Sequence, residues 1–386
     1  MLIPRGGWHA TLLAAVAFSA LGAFPLYLVS AYSVRIRTDL GFSPALYGVA
    51  ISAYFAATAL SASFLGRLVE RIEARTAMRG AALCACAAVL GTATAARSWL
   101  ALVAFLTLGG VANSFAQVTA NQMLATGGVA RRLGTAFGAK QAAVPIAGLV
   151  AGSVLPPLSG VMAWRESFML MAIVPALGVF AAPHIGPARG SRARLRRSAF
   201  ALPKGVFLIA VAAAFGGAAS NSLPIFVVDA GVTQGMREST GAVLLAAGSA
   251  IAVLVRLSAG WYVDRRRSDG ALELVWLMLA GSAAFGVLAL AGNSSVLFIA
   301  GVLAAFGAGW GWPGLLYYYV VRRFPARPGA VTGAVISGAF FGTLLGPVTI
   351  GTLATRLSYA WGWALASAAL AIAAAVIISS RISSRE

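Results

Sequence analysis

Two cations stand where hydrocarbon is expected. The stretch Gly134-Thr-Ala-Phe-Gly-Ala-Lys140-Gln-Ala-Ala-Val-Pro-Ile-Ala-Gly-Leu-Val-Ala-Gly152 is apolar apart from its lysine, and the chain has one other lysine, Lys204, beside 27 arginines. Arg256 lies in a second apolar run, 239–262. A charge inside a membrane span is costly and marks a functional site by default. An ammonium binds anions as a compact point charge, and a guanidinium offers a planar fork that takes a carboxylate through two parallel hydrogen bonds. Both side chains are also long enough to reach toward the membrane surface, and Arg256 could pair with Asp264 two turns away. The ten acidic residues fall in loops, at termini or at span ends, Asp229 among them. No carboxylate is therefore expected mid-membrane for a proton relay or a cationic guest.

The elements that position these cations are hydrophobic runs. The chain has 386 residues, 60% hydrophobic and 10% charged, with a mean hydropathy of +0.87. A soluble chain carries about 25% charged residues, so lipid is the expected solvent. Runs of the required length fall at about 10–33, 45–66, 76–96, 99–125, 134–158 and 164–187. After a basic break at 188–200 come 201–228, 239–262, 271–292, 295–320, 329–354 and 360–380. They are too long for barrel strands, so the fold class is all-α with twelve transmembrane helices. The first run resembles a signal peptide, but its length and the runs that follow favour an uncleaved span.

The net charge of +19 is distributed as short clusters between runs, which excludes a nucleic-acid surface as its main meaning. With the N-terminus inside, 21 Lys/Arg residues fall in inner segments and six in outer ones. This bias places both ends in the cytosol of a plasma-membrane protein. Cys84 and Cys86 lie two apart in an apolar run and face different ways, so neither a disulfide nor a metal pair is expected.

The two sets of six runs resemble one another. Gly66-Arg-Leu-Val-Glu70-Arg71 ends the second run, and Gly260-Trp-Tyr-Val-Asp264-Arg265 ends the eighth. Arg132-Leu-Gly134-Thr-Ala-Phe-Gly138 opens the fifth, and Arg327-Pro-Gly329-Ala-Val-Thr-Gly333 opens the eleventh. Such matched repeats mark a duplicated transporter. At these residues the chain resembles the major facilitator superfamily over nearly its full length. Gly66, Glu70, Arg71 and Arg75 match the family's loop motif, with Glu73 in place of its second glycine, and Gly260, Asp264 and Arg265 repeat it.

The resemblance implies two pseudo-symmetric halves, 1–187 and 201–386, joined by the basic linker 188–200. It implies that helices 5 and 8 lie side by side, which brings Lys140 and Arg256 together at about 10 and 12 Å from the inner edge by helical rise. It also implies that helices 1, 4, 7 and 10 line a central cavity. Asn113, Gln117 and Asn121 share one face of helix 4, and Tyr27, Asn221 and Tyr317 to Tyr319 are further candidates. Glu70 and Asp264 would each meet a helix N-terminus, where the dipole is positive. Arg256 with Gly260 and Asp264 is also similar to a pattern in monocarboxylate and oxalate/formate transporters, where that arginine faces a substrate carboxylate.

The expected function is alternating-access transport of a small organic anion by a monomer, with Lys140 and Arg256 as its contacts. Export of neutral or hydrophobic compounds is the alternative. No nucleotide loop, paired-histidine motif or nucleophile elbow is present, so no enzyme, cofactor or metal is expected. Gly307-Ala-Gly-Trp-Gly311 lacks the strand and acidic residue of a dinucleotide loop and suits helix packing or flexing.

Overall fold

The computed structural model describes residues 5–126, 132–183, 205–325 and 328–382. The linker 188–200, Lys204 and His184 lie outside the described residues. Among the described residues, twelve helices are long and apolar enough to cross a bilayer. Spans 1 to 6 are His9–Ala31, Pro44–Val69, Ala74–Ala95, Trp99–Leu124, Leu133–Leu158 and Trp164–Ala181. Spans 7 to 12 are Val206–Thr233, Glu238–Arg266, Ala271–Leu290, Ser295–Arg323, Val331–Arg356 and Tyr359–Arg381. No strand occurs among the described residues. Twelve crossings put the start of span 1 and the end of span 12 on one face, here the terminal face, opposite a distal face.

Local chemistry sets the helix ends. Pro44 occupies the first turn of span 2 behind Ser43, whose side chain accepts from Leu46 N–H at 3.3 Å. Ser294 caps span 10 in the same way through Leu297 N–H. Span 8 opens on Glu238 and closes on Arg265 and Arg266, charges that complement its dipole. Two departures from the sequence reading affect function. Span 7 continues past 228 to Thr233 and takes Asp229 with it. Span 10 is irregular, with a π-helical turn at Ala305–Gly309 before the helix resumes at Pro313.

The halves meet along two seams, each built on glycine. In the first, spans 5 and 8 touch along their length. A methyl group on Gly260 would collide with the Gly134 carbonyl, one on Gly138 with the Arg256 carbonyl, and one on Gly152 with the Ala242 carbonyl. In the second, spans 2 and 11 touch toward the distal face. Gly48 abuts Pro347, Gly351 abuts Pro44, and Ser52 donates to the Leu344 carbonyl at 2.6 Å. Toward the terminal face that seam parts. Among the described residues, a Cβ on Gly66 would meet only Val118 at 4.0 Å, and one on Gly333 would meet nothing within 4 Å.

The distal mouth is closed by a short helix, Ser33–Leu40, that follows span 1. Asp39 fastens it to the first half, accepting from Arg165 at 2.9 Å and Trp164 Nε1 at 3.2 Å. Its arginines cross to the second half. Arg35 pairs with Glu238 at 2.6 Å, and Arg37 pairs with Asp229.

Candidate functional site

A cavity of about 760 Å³ lies between the halves. At its terminal end it is lined by Ala62, Leu124, Leu133, Val321 and Gly333, which sit near the ends of spans 2, 4, 5, 10 and 11. The parted seam therefore leads into it. Tyr27, Asn113, Gln117, Lys140, Asn221 and Arg256 all line it, as do Asn121 and Tyr317. The expected residues thus share one chamber, although their states differ.

Lys140 comes from span 5, one residue before Gln141, and its side chain is half-buried. Among the described residues its ammonium has no hydrogen-bond or ion-pair partner. Arg256 is the opposite case, at 3% exposure. Its Nε donates to the Trp310 carbonyl at 3.0 Å, Nη2 donates to the same oxygen, and Nη1 donates to the Gln141 carbonyl. The guanidinium also lies 4.9 Å from the centre of the Trp310 ring. It does not pair with Asp264. Two of the five N–H groups of a guanidinium remain uncommitted.

The acceptor for Arg256 arises from the irregular turn in span 10. A π-helical turn shifts the bonding pattern by one residue, and here Trp310 N–H bonds back to the Ala305 carbonyl at 2.9 Å. The Trp310 carbonyl takes the guanidinium. The glycines of 305–314 permit this winding and the tight packing around it: Gly281 and Gly309 bring spans 9 and 10 into near backbone contact. The Trp310 ring packs against Tyr27 at 5.9 Å and Phe306 at 5.5 Å. Trp312 Nε1 donates to Ser220 at 2.7 Å. The Trp312 indole N–H is therefore satisfied, as a buried tryptophan requires.

The amides divide in the same manner. Asn113 Oδ1 is buried with no partner among the described residues. Asn221 Nδ2 is occupied, donating to the Gly217 carbonyl and Thr343 Oγ1, each at 3.1 Å. The Tyr317 hydroxyl faces Gln141, whereas Tyr318 donates to the Ser268 carbonyl at 2.8 Å and stands outside the chamber. Sequence reasoning missed Gln141, Trp310, Trp312 and Thr343. Only Gln141 carried a signal, its adjacency to Lys140.

The repeated motif occupies the terminal ends of spans 2 and 8. Asp264 accepts from Gly134 N–H at 2.9 Å, Thr135 N–H at 2.7 Å and Thr135 Oγ1 at 2.8 Å, so it caps span 5 across the seam. Arg265 lies 5.2 Å from the Trp261 ring. Its counterpart Glu70 is exposed, with no partner among the described residues, as is Arg71. Arg75 Nε donates to the Ala182 carbonyl at 3.1 Å within the first half.

A model of the Major Facilitator Superfamily matches residues 8–281. The chain belongs to the Major Facilitator Superfamily. Solved structures of this superfamily share its architecture. The proton:xylose symporter XylE bound to 6-bromo-6-deoxy-D-glucose superposes with a TM-score of 0.77 at 12% identity, covering 98% of this chain and 96% of that one. A bacterial homologue of the human lysosomal transporter Spinster, in an inward-facing and occupied conformation, gives 0.69 at 17% identity over 98% of both chains. At these identities the likeness is one of fold. A proposed niacin/nicotinamide transporter of Bacillus subtilis (strain 168), NiaP, is 33% identical over 124 residues. That match covers 31% of this chain and 30% of the relative, so the chain spans under a third of that protein's length. The protein is a multi-pass membrane transporter of this superfamily and not an enzyme.

Proposed function

We propose that the chain moves a small organic anion, preferably a carboxylate, by alternating access. Lys140 carries the reading: it is a cation on the wall of the inter-half chamber with no protein partner among the described residues. Hydrogen bonds to charged groups contribute about 1.5–3 kcal/mol, so an anionic guest would complete a group that the protein leaves unsatisfied. Arg256 offers two remaining donors and a second, weaker contact. Gln117 and Asn121 orient the guest, and Tyr27 and Trp310 flank it. Asn221 shapes the wall, since its N–H groups are already committed.

The two bodies are 1–187 and 201–386, joined by the basic linker 188–200. Both ends lie in the cytosol by the 21-to-6 basic bias, in a plasma membrane. One chain supplies the whole chamber, so a monomer suffices. The terminal opening then faces the cytosol, and the distal seal faces outward.

A second reading has its own support. The chamber is walled largely by apolar and aromatic side chains, and the name of the partial relative includes nicotinamide, which is neutral, beside niacin, which is a carboxylic acid. Export of neutral compounds fits that wall. Matched pairs separate the two readings: nicotinate against nicotinamide, and benzoate against benzamide, in thermal-shift and proteoliposome uptake measurements. The acids should stabilise and be transported, and Lys140→Ala should weaken acid binding by about 10- to 100-fold, the equivalent of one charge-assisted bond. Equal binding of acid and amide favours the neutral guest. Undiminished anion uptake in both Lys140→Ala and Arg256→Ala removes the anion assignment.

A further inference from the structure

The aromatic side chains of the chamber fall into two groups. Tyr27, Tyr54, Phe55 and Trp310 are buried against other rings. Tyr27 meets Trp310 at 5.9 Å, Tyr54 meets Phe55 at 5.2 Å, and Trp310 also holds Phe306 and the Arg256 guanidinium. Trp312 is pressed onto Gly216. Phe137, Tyr317 and Phe340 line the same chamber but are only half-buried. Among the described residues, their rings have no aromatic partner. They forgo the offset-stacked or edge-to-face pairing that aromatic rings favour.

Two of these rings adjoin Lys140. Phe137 precedes it by three residues on span 5, so the two share a face and lie about 4.5 Å apart along the axis. Helical side chains lean toward the N-terminus, which inclines Lys140 toward the level of Phe137. Tyr317 reaches the same turn from the second half. Spans 5 and 10 approach backbone to backbone there, since a Cβ on Gly314 would stand 3.2 Å from Gly138 Cα. Tyr317 follows Gly314 by three residues, and its hydroxyl is hydrogen-bonded with the Gln141 side chain. The Gln141 carbonyl takes Arg256 Nη1. One turn of span 5 therefore presents an uncommitted ammonium, an uncommitted ring and the anchor of a second ring.

We propose that this turn is an aromatic-acid subsite, in which Lys140 takes the carboxylate and the guest's planar ring lies against Phe137 and Tyr317. The inference rests on the anion reading above and narrows the cargo to carboxylates borne on a flat ring. A wall that is merely apolar favours the guest with more apolar surface, which is a saturated ring. Unpaired aromatic faces reverse that order, because only a π-face can complete their pairing.

Four guests of similar size separate ring from charge: benzoate, benzamide, cyclohexanecarboxylate and cyclohexanecarboxamide. Their affinities for the purified full chain are read by calorimetry at about pH 7.5, where both acids are ionised. Benzoate should bind about 2- to 12-fold tighter than cyclohexanecarboxylate, the equivalent of one aromatic pairing. Phe137→Leu should lower that ratio by weakening benzoate and not the saturated acid, and Phe137→Tyr should preserve it. Tyr317→Leu should act as Phe137→Leu does. A parent protein that binds cyclohexanecarboxylate as tightly as benzoate overturns the subsite and leaves the anion reading standing. A Phe137→Leu/Tyr317→Leu double variant with the parent ratio does the same. Amides that bind as tightly as their acids remove the anion reading and this proposal with it, and the benzoate-to-benzamide ratio tells that failure from the first. Should the variants not fold, the ratio in the parent protein decides.

Discussion

The two seams between the halves descend from one repeated pattern, yet they are in different states. At the span 5/span 8 seam, Gly260 and Gly138 press on facing backbone and Asp264 caps Gly134 and Thr135. At the span 2/span 11 seam, the counterparts Gly66 and Gly333 make no close contact among the described residues, and Glu70 stands exposed. The difference teaches that a motif fixes what a residue can touch, while the conformation decides whether it does. One closed seam and one parted seam make an asymmetric opening, in which the closed seam holds the halves together while the chamber communicates with the terminal face.

Substitution of paired positions sharpens the contrast. Gly260→Val should destabilise the protein most, by about 1–3 kcal/mol from overpacking against Gly134, visible as a lowered thermal midpoint in detergent. Gly66→Val should leave that midpoint unchanged, since a Cβ there meets only Val118 at 4.0 Å. Equal losses at both positions would break the comparison. Asp264→Ala removes the acceptor of the bonds from Gly134 and Thr135 and should cost about 0.5–2 kcal/mol, the worth of a helix cap, whereas Glu70→Ala should be silent in the same assay. Of the substitutions expected to destabilise, the mildest lies at the distal end of the open seam. Ser52→Ala removes the bond to the Leu344 carbonyl and should cost about 0.5–1.5 kcal/mol. A larger loss there than at Gly260 would mean that the span 2/span 11 seam is the principal tie.

Much of the frame was legible because hydrocarbon permits few solutions. Runs of about 20 apolar residues must become helices, and the number and order of the spans agree with those observed. The convergence of Lys140, Arg256, Asn113 and Asn221 on one chamber followed from the family resemblance. What each cation touches did not, because Arg256 is held by main-chain oxygens exposed by local winding, which leaves no mark in residue type. Asp229 was read as a span end because a hydropathy run stops at its first charge. Its burial depends on Arg37, 192 residues away. Asn221 was a fair expectation from composition, but its committed amide could be seen only with Thr343 in place.

The five-residue π-helical turn at Ala305–Gly309 has a consequence for the lower part of span 10. Each residue turns an α-helix by about 100°, so the additional residue sets the azimuth of everything that follows it. Deleting Ala308 would restore regular winding, rotate Tyr317 off the chamber wall and withdraw the oxygen that anchors the guanidinium. The bore of this transporter is therefore indexed by one surplus residue, and a shift in reading frame of the helix would redraw its lining without changing a single side chain.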